Sequence, residues 1–394
     1  MRETAFVICE YDPFHNGHFY HLLRTREAGA KYIVCLMSGN FVQRGDMAFC
    51  DKTTRAAFAV AHGADVVIEL PVKYVLSGAR WFAEGAAGII KAANVPGTLS
   101  FGAGADLATI KTLADFVKDP QTETAVNEYA RSSGANHAMA VQKTAERLHP
   151  VCAEALGDPN NVLAAEYINA CERMGLSTDF FAVKREAPHD APMGDGDFAS
   201  AKSLRDMVYT ENDWGRLRPY VPADVFEQLI TKRDAGALPT EKRLFSAAVT
   251  ARLLDKNADA LLRVNGVNQG IENRILEALK TAGDLYAAYD KVKTKRFTHA
   301  RIRQIMLSAA LGIEKETLPV PPAYYRVLAV SEAGRETVKA LRANAATPFV
   351  MNLSEAPEGR DRALDALCGR LFDLCRPVPP EKPSEFAAKP YVAG

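Results

Sequence analysis

The chain of 394 residues has no long hydrophobic run, and no stretch approaches the roughly 18 apolar residues that a membrane-spanning helix requires. Its start carries the acids Glu3 and Glu10, where a secretion signal would need basic residues followed by a long apolar stretch. We therefore expect no membrane association and a cytoplasmic location. No feature of the sequence predicts a protein partner.

An excess of charge of either sign is also missing, since 48 Lys and Arg residues balance 48 Asp and Glu residues. The overall charge thus predicts no polyanionic partner, and any nucleic-acid site must be a local patch. The seven cysteines are scattered and include no C-x-x-C pair, so we expect reduced, mostly buried thiols rather than a disulfide framework or a zinc site. With 48% hydrophobic and 24% charged residues, the composition is that of a folded globular protein.

The first half alternates short apolar runs with longer amphipathic stretches. β-Branched or aromatic runs of strand length occupy residues 5–10, 32–37, 65–70, 98–102 and 179–183. Helical spacing occupies residues 18–27, 53–61, 78–92, 107–117, 161–174 and 200–209. Strands and helices that alternate in this way predict an α/β fold, with a Rossmann-like parallel sheet and a site at the carboxyl ends of its strands.

The pattern changes beyond about residue 205, where strand-like runs become rare and amphipathic helices predominate. We therefore predict a Rossmann-like domain over residues 1–205 and a mainly helical domain over residues 206–376. A small α/β appendage is expected near residues 317–330, where a Pro-rich stretch ends in a strand-like run. Residues 377–394 are rich in Pro and polar side chains, which predicts an extended or disordered tail.

The first predicted strand runs into His15-Asn16-Gly17-His18, an H-x-G-H motif at a strand-to-helix turn. Gly17 allows the backbone to approach a phosphate closely, the helix start offers free N–H groups, and the two imidazoles add donors. This arrangement predicts a triphosphate site. The alternative, a pair of surface or core histidines, is disfavoured by the position after the first strand. No metal site is expected, because the histidines are not spaced i, i+4 and no carboxylate cluster joins them.

Further segments occur in the same order as in a known family. They are residues 38–45 (SGNFVQRG), 51–55 (DKTTR), 68–71 (IELP), 99–102 (LSFG), 159–163 (PNNVL), 184–190 (KREAPHD) and 199–205 (ASAKSLR). Together with the H-x-G-H motif they resemble the tRNA(Met) cytidine acetate ligase family, within the H-x-G-H nucleotidyltransferase superfamily. The resemblance is strong over roughly the first 205 residues and thinner in the helical half.

This resemblance implies an enzyme that activates acetate with ATP as acetyl-adenylate and transfers the acetyl group to N4 of the wobble cytidine of elongator tRNA(Met). It makes residues 1–205 the ATP-binding nucleotidyltransferase domain and residues 206–376 the RNA-binding domain. ATP is the expected cofactor, with Mg²⁺ as an optional companion that has no dedicated carboxylate cage. Acetate and elongator tRNA(Met) are the expected partners. No cysteine lies in the motif segments that are expected to act, which argues against a covalent acyl-enzyme.

Carried over residue by residue, the resemblance assigns His15 and His18 to catalysis. The ATP-binding positions are Val7, Ile8, Cys9, Glu10, Tyr11, Asp12, Pro13, Phe14, His15, Asn16, Gly17, His18, Phe19, Tyr20, Gly102, Asn160, Asn161, Arg185 and Ser200. Asn160 and Asn161 precede a helical run, so one is expected to cap the helix and the other to read the nucleotide. Arg185 is expected to clamp phosphate in bidentate fashion.

Some of these residues also have a purely structural interpretation. The segment 199–205 has hydroxyls and N–H groups that suit the β- and γ-phosphates, but it equally fits a capped amphipathic helix. Gly102 would then be an ordinary turn glycine and Arg185 an exposed strand-end charge. Lys202, the segment Asn136-His137-Ala138 and Pro188 depart from the family pattern. The last two departures concern the acetate or tRNA side rather than ATP.

A basic segment in the helical half, residues 291–303, contains six cations, one aromatic residue and no acid. The predicted RNA-binding residues are Lys293, Lys295, Arg296 and Arg301. Phe297 is expected to stack on a base that is splayed from the anticodon loop. A solvated helix start is the alternative interpretation, which the resemblance to a tRNA-acting family disfavours.

Two other functions remain open from the residues alone. A small-molecule adenylyltransferase, of the pantetheine-phosphate or mononucleotide type, explains the first half equally well but leaves the basic segment without a role. A non-catalytic RNA-binding protein with a decayed nucleotide fold explains the basic segment. The intact His15, Gly17 and His18 argue against that second alternative.

Overall fold

The computed structural model of the chain describes residues 1–184, 198–268 and 270–393. The strands are β1 (Thr4–Cys9), β2 (Tyr32–Ser38), β3 (Phe41–Val42), β4 (Asp46–Met47), β5 (Val66–Leu70), β6 (Gly97–Ala103), β7 (Asp179–Lys184), β8 (Tyr325–Val330), β9 (Phe349–Val350) and β10 (Tyr391–Val392). The helices of the first half are α1 (Asn16–Glu27), α2 (Lys52–Ala61), α3 (Val72–Val75), α4 (Ala79–Ala93), α5 (Leu107–Lys118), α6 (Pro120–Ser133), α7 (His137–Leu148), α8 (Pro150–Ala155) and α9 (Pro159–Arg173). Those that follow are α10 (Ala201–Tyr209), α11 (Ala223–Asp234), α12 (Lys242–Leu253), α13 (Ala258–Leu262), α14 (Ile271–Thr281), α15 (Leu285–Val292), α16 (His299–Leu311), α17 (Gly334–Asn344), α18 (Arg360–Leu374) and α19 (Ser384–Ala387).

The strands of the first half form a parallel sheet that the last part of the chain completes. Within the described residues its order is β10-β8-β5-β2-β1-β6-β7, with β9 paired to β8. The strands β1, β2, β5, β6 and β7 run parallel, whereas β8 is antiparallel to β5. Because β2 and β5 lie on one side of β1 and β6 and β7 on the other, the strand order reverses at β1. Such a switch point places a crevice at the carboxyl ends of the strands.

The central strands are apolar along their length because helices cover both faces of the sheet. In β2, Val34 and Leu36 pack with α4, α5 and α9 on one face, and Ile33 and Cys35 pack with α1, α2 and α10 on the other. The helical half has a core of its own, built mainly from α12, α14, α15, α16 and α18. That core also contains Phe41 of the β3–β4 hairpin, so the two halves share buried surface.

The predicted α/β class is confirmed. Each predicted strand and helix of the first half is present, with ends that differ from the predictions by one or two residues. These elements were predictable because runs buried on both faces, and helices with one apolar side, leave a period in the sequence. The domain boundaries at residues 205 and 376 stay a prediction.

Residues 317–330 do not form the separate appendage that their sequence predicts. The strand β8 instead joins the main sheet beside β5, with Val66 opposite Val330. All of β8 is buried. Apart from Arg326 it is apolar, and it covers the edge that β5 would otherwise expose to solvent.

The segment from residue 377 onward also differs from its prediction as an extended or disordered tail. Strand β10 pairs with β8, and Glu385 of α19 is only 3% exposed. Glu385 accepts hydrogen bonds from the Lys52 ammonium and from Arg326 Nη1, the latter at 2.6 Å. Lys52 is also bound by Glu69 at 2.7 Å. These buried ion pairs with distant parts of the chain hold the tail, and composition alone does not reveal them.

All seven cysteines are buried free thiols, as predicted. Burial raises the pKa of Cys50, so that this thiol stays protonated at neutral pH. Among the residues that the structure describes, no helix is both long enough and apolar enough to cross a bilayer.

The buried ion pairs predict that Glu385 anchors the tail. Glu385→Gln should lower the free energy of unfolding by about 3–5 kcal/mol, because it removes a carboxylate that Lys52 and Arg326 share. Glu381→Gln changes an exposed carboxylate of the same tail and should alter that free energy by at most about 0.5 kcal/mol. Urea denaturation measures both, and equal values for the two variants would contradict the anchoring role.

Candidate active site

A cleft of about 580 Å³ opens at the switch point, next to the carboxyl ends of β1, β6 and β7. Its walls come from the turn after β1, the start of α1, the β3–β4 hairpin, and the starts of α4, α9 and α10. A volume of this size suits a small-molecule ligand. The predicted ATP-binding residues that line it are Ile8, Cys9, Glu10, Tyr11, Asp12, His15, Gly17, His18, Tyr20, Gly102 and Asn160.

The two motif histidines stack on each other at the start of α1. Their ring centroids are 3.7 Å apart with an interplanar angle of 25°. Nδ1 of His15 accepts the N–H of Gly17 at 3.0 Å, and Nδ1 of His18 accepts the N–H of His15 at 3.3 Å. Because Nδ1 accepts in both rings, the neutral imidazoles carry their hydrogen on Nε2 and act as donors there.

Gly17 is required for this stacked arrangement. A Cβ atom at position 17 would lie 2.9 Å from Cε1 of His15, too close for any side chain without moving the imidazole. The glycine therefore serves the imidazole directly, in addition to any approach of backbone to phosphate.

The free N–H groups predicted at the start of α1 are already hydrogen-bonded, so this part of the prediction is wrong. The N–H of Asn16 donates to the carbonyl of Tyr220 at 2.9 Å, and that of His18 donates to the carbonyl of His15 at 2.8 Å. The Gly17 N–H is taken by the His15 ring. Donors for a phosphate must therefore come from the imidazoles and from other elements around the cleft.

The start of α10 supplies such donors. Ala201 and Lys202 line the cleft, and their N–H groups, at the first turn of the helix, have no acceptor among the described residues. Arg205, one turn later, also lines the cleft and is held by Asp12, whose Oδ2 lies 3.1 Å from its Nη1. Ser200 caps the helix, because its Oγ accepts the N–H of Ser203 at 3.1 Å. Positive charge, backbone donors and the two imidazoles thus line one cavity.

A buried arginine, Arg55, fixes the floor of the cleft. Its side chain is 0% exposed and donates to three carbonyls, those of Glu10 after β1, Gly39 after β2 and Cys50 before α2. Glu10 in turn accepts the N–H of Gln43, in the hairpin, at 2.7 Å through Oε1. Burial raises the pKa of the Glu10 carboxyl, and the Gln43 N–H opposes that rise.

The predicted division of labour between Asn160 and Asn161 needs correction. Neither caps α9, because Asp158 does so by accepting the N–H of Asn160 at 2.8 Å. Asn161 is 3% exposed, and its Oδ1 accepts the N–H groups of Gly104 and Ala105 at 2.9 and 3.1 Å. Asn161 therefore holds the turn after β6, and Asn160 is the asparagine that lines the cleft.

Several other predicted ATP-binding residues lie outside the cleft surface. They are the buried Val7, Pro13 and Phe14, together with Asn16, Phe19, Asn161 and Ser200. Val7 and Phe14 belong to the core between the sheet and α2, and Asn16 donates from Nδ2 to the carbonyl of Pro219 at 3.0 Å. The resemblance covers a continuous segment, whereas alternate strand residues must face the core. Arg185 and Pro188 lie outside the described residues.

Some residues that line the cleft were not predicted from the sequence to belong to the site. Gln43 and Arg44 lie in the SGNFVQRG segment, whose hairpin geometry is not encoded in a strand-length apolar run. Phe82, Phe101 and Tyr167 form an apolar wall that hydrophobic periodicity identifies only as core. The sequence feature that could have identified Gln43 and Arg44 was the family segment SGNFVQRG, which contains both residues but gave them no function.

A family model described as HIGH nucleotidyl transferase matches residues 1–385. A relative from Thermoanaerobacter sp. strain X514, named tRNA(Met) cytidine acetate ligase, is 32% identical over 361 residues, which cover 89% of each chain. A relative of the same name from Acetivibrio thermocellus is 29% identical over 390 residues, which cover 94% of each chain. The chain belongs to the tRNA(Met) cytidine acetate ligase family.

Solved structures agree with this assignment. The crystal structure of Thermotoga maritima TmcAL in its apo form I matches this chain with a TM-score of 0.90 and 28% sequence identity. The match covers 100% of both chains. The structure of Thermotoga maritima TmcAL bound with alpha-thio ATP has a TM-score of 0.88 with the same coverage. The ligase family fold therefore extends over the whole chain, including the helical half.

In this ligase family member the basic segment is partly exposed and partly structural. Lys293, Lys295 and Arg296 are exposed between α15 and α16. The segment is fixed to the first half, because Asn136 donates from Nδ2 to the carbonyl of Lys295 at 3.0 Å. Asn136 also caps α7. The departure from the family pattern at residues 136–138 therefore lies against the basic segment.

One expectation for the basic segment is wrong, and one predicted RNA-binding residue, Arg301, makes contacts within the fold. Phe297 is 5% exposed and belongs to the helical core, so it cannot stack on an RNA base. The Arg301 guanidinium lies 4.9 Å from the Phe297 ring centroid and donates to the carbonyl of Gly266 at 3.0 Å. Burial lowers the pKa of Arg301. Both side chains are used to pack α16, which an isolated charge pattern does not distinguish from an RNA surface.

The separate roles of the two asparagines predict opposite results for their alanine variants. Asn161→Ala should lower the free energy of unfolding by about 1–3 kcal/mol, because Gly104 and Ala105 lose their common acceptor. Asn160→Ala should change it by at most about 0.5 kcal/mol, because Asn160 faces the cleft. Chemical denaturation of both variants measures this. Equal destabilisation, or a larger loss in Asn160→Ala, would contradict the assignment.

Proposed function

We propose that the protein is an ATP-dependent tRNA acetate ligase, which forms acetyl-adenylate and acetylates N4 of the wobble cytidine of elongator tRNA(Met). The observation that carries the proposal is the single cleft that is lined by His15, His18, Arg205 and the start of α10. Relatives whose alignments cover 89–94% of this chain are named tRNA(Met) cytidine acetate ligase.

In the first step, acetate attacks the α-phosphate of ATP and pyrophosphate leaves. His15, His18 and Arg205 are the groups that stabilise the charge that develops on the phosphates, with Lys202 and the first N–H groups of α10 behind them. Asp12 holds Arg205 in place before ATP arrives, so little reorganisation is needed at the moment of reaction.

Other residues that line the cleft suit the nucleoside. Phe101 and Tyr167 present apolar surface for adenine, Gly102 leaves the backbone of β6 open to close approach, and Asn160 offers an amide for hydrogen bonding. In the second step, N4 of a cytosine that is splayed from the anticodon loop attacks the acetyl carbonyl, and AMP leaves.

Magnesium has no protein-built cage in this arrangement. In the described residues no three His, Cys, Asp or Glu side chains are grouped to hold a metal ion. Asp12 is already bound by Arg205 and by the N–H of Phe49. Any Mg²⁺ would therefore arrive on the triphosphate itself, and no step here is assigned to it.

The imidazole donors give the first functional prediction. His15→Ala and His18→Ala should each lower acetate-dependent ATP–pyrophosphate exchange by about 10²–10³-fold, because each removes a preorganised donor to developing charge. His149→Ala, an exposed histidine outside the cleft, is the matched control and should exchange at the wild-type rate. Exchange at control rates in folded His15 and His18 variants would overturn the phosphate-site assignment.

The identity of the nucleophile separates this ligase from an adenylyltransferase. We expect AMP release to require acetate, because a carboxylate nucleophile gives a mixed anhydride that is hydrolysed or transferred. Pantetheine phosphate and nicotinamide mononucleotide should give no product, although a phosphate nucleophile would yield a stable adenylylated compound. Formation of such a compound, without acetate-dependent AMP release, would replace the ligase by the adenylyltransferase.

The exposed cations predict how tRNA is held. Replacing Lys293, Lys295 and Arg296 by Gln in one triple variant should weaken tRNA binding, because phosphate contacts are lost. Each lost contact should also reduce the slope of the log binding constant against log salt concentration by about 0.7–0.9. Arg335→Gln with Lys339→Gln, which removes two exposed cations of α17, is the control. Filter binding across a salt series measures both slopes. A wild-type slope in the triple variant would make the basic segment a solvated surface only.

A further inference from the structure

The cleft contains two carboxylates among its described lining residues, and they differ in their bonding. Asp12 is 4% exposed, and both of its oxygens are used, one by the N–H of Phe49 and the other by Arg205. Glu10 uses one oxygen, Oε1, to accept the N–H of Gln43. Its second oxygen, Oε2, has no hydrogen-bond donor among the described residues. Glu10 therefore has an acceptor atom to offer a ligand.

Four other titratable groups of the cleft are poor proton acceptors. His15 and His18 already accept backbone N–H groups at Nδ1 and carry hydrogen at Nε2. Burial raises the pKa of Cys9 and of Tyr11 well above their ordinary values, so neither thiolate nor phenolate forms near neutral pH. Of the two carboxylates that line the cleft, that of Glu10 is the one with an oxygen that no described donor uses, and it can be deprotonated before the reaction and protonated during it.

Glu10 is also connected through hydrogen bonds to the helix that follows the basic segment. Its Oε1 is bound by Gln43 of the β3–β4 hairpin, and the carbonyl of Gln43 accepts a hydrogen bond from Nε2 of Gln304 in α16. The hairpin touches the α16 backbone so closely that a Cβ at Gly45 would lie 2.5 Å from the Gln304 nitrogen. Because α16 begins at His299, within the basic segment, these contacts connect Glu10 to the helix that follows the predicted RNA-binding lysines.

We propose that Glu10 is a catalytic residue of the transfer step, in which its Oε2 accepts the proton of the cytosine N4 amine. The proposal rests on the proposed ligase function. The N4 lone pair forms the new C–N bond to the acetyl carbon, and the bond from that carbon to the phosphate oxygen breaks, its electron pair leaving with AMP. One N4 proton passes to Glu10 and then to water, so the amide product is neutral.

The same carboxylate selects the base. A Glu oxygen accepts a hydrogen bond from the N4 amine of cytosine, whereas uracil presents the O4 acceptor in that place. Two acceptors repel each other, so a uridine would be rejected without any further contact. A single side chain thus recognises the reacting group and removes its proton.

The environment of Glu10 keeps it basic enough for this role. Burial and the nearby Asp12 raise the pKa of Glu10, while Gln43, Arg205 and Arg55 lower it, and the net direction is upward. A carboxylate with a raised pKa is a stronger base once deprotonated. The transfer rate should therefore rise with pH through the pKa of Glu10, above the usual range of a glutamate.

The test supplies synthetic acetyl-adenylate to the enzyme and measures acetylation of elongator tRNA(Met) in a single turnover, which bypasses the first step. Glu10→Gln should slow this transfer by about 10²–10⁴-fold and abolish its pH dependence, while ATP–pyrophosphate exchange falls by a much smaller factor. Glu10→Asp should restore part of the transfer rate. Asp46→Asn, a carboxyl-to-amide change in the β3–β4 hairpin that contacts Glu10 but outside the cleft lining, should leave the ratio of the two rates as in the wild type.

The outcomes separate this proposal from the one on which it rests. If the wild-type enzyme does not acetylate tRNA from acetyl-adenylate, the proposed ligase function fails. If the wild type does and Glu10→Gln transfers equally fast, Glu10 is not the proton acceptor. A parallel loss of exchange and transfer in Glu10→Gln, with no recovery in Glu10→Asp, would make Glu10 a structural residue and overturn the proposal.

Discussion

The buried guanidinium of Arg55 is the constraint on which the candidate site depends. It binds the carbonyls that follow β1 and β2 and the carbonyl that precedes α2, so it fixes the exits of two central strands relative to each other. The turn after β1 then leads directly into the stacked His15 and His18. A charge buried in this way must be fully hydrogen-bonded, and satisfying it makes the floor of the cleft rigid before any ligand binds.

From this floor the remaining cleft residues are positioned by contacts with later parts of the chain. Asp12 holds Arg205 of α10, and Glu10 holds Gln43 of the hairpin, which in turn lies on α16. The nucleotide-binding half and the helical half are therefore joined at the cleft itself. This arrangement suits an enzyme whose two substrates, a nucleotide and an RNA, must meet at one reacting carbon.

The sequence was sufficient for the features that depend on local patterns. Strands β1, β2 and β5 were predictable because they are buried on both faces, and the H-x-G-H motif located the cleft because it follows the first strand. It was insufficient where a partner lies far along the chain. Three features depend on contacts that leave no periodic pattern in the sequence. They are the capping of α9 by Asp158, the burial of Phe297 under α16 and the pairing of Glu385 with Lys52. The β3–β4 hairpin could not be assigned to the cleft for the same reason, because its position depends on contacts with distant residues such as Gln304.

One incubation tests most directly whether the protein joins acetate to a tRNA cytidine with conversion of ATP to AMP and pyrophosphate. The enzyme is mixed with ATP, radiolabelled acetate and total tRNA, and the tRNA is then digested to nucleosides and separated. We expect label in N4-acetylcytidine from elongator tRNA(Met), dependent on ATP and absent in the His18→Ala variant. Label-free tRNA in the presence of active, ATP-binding wild-type enzyme would contradict it.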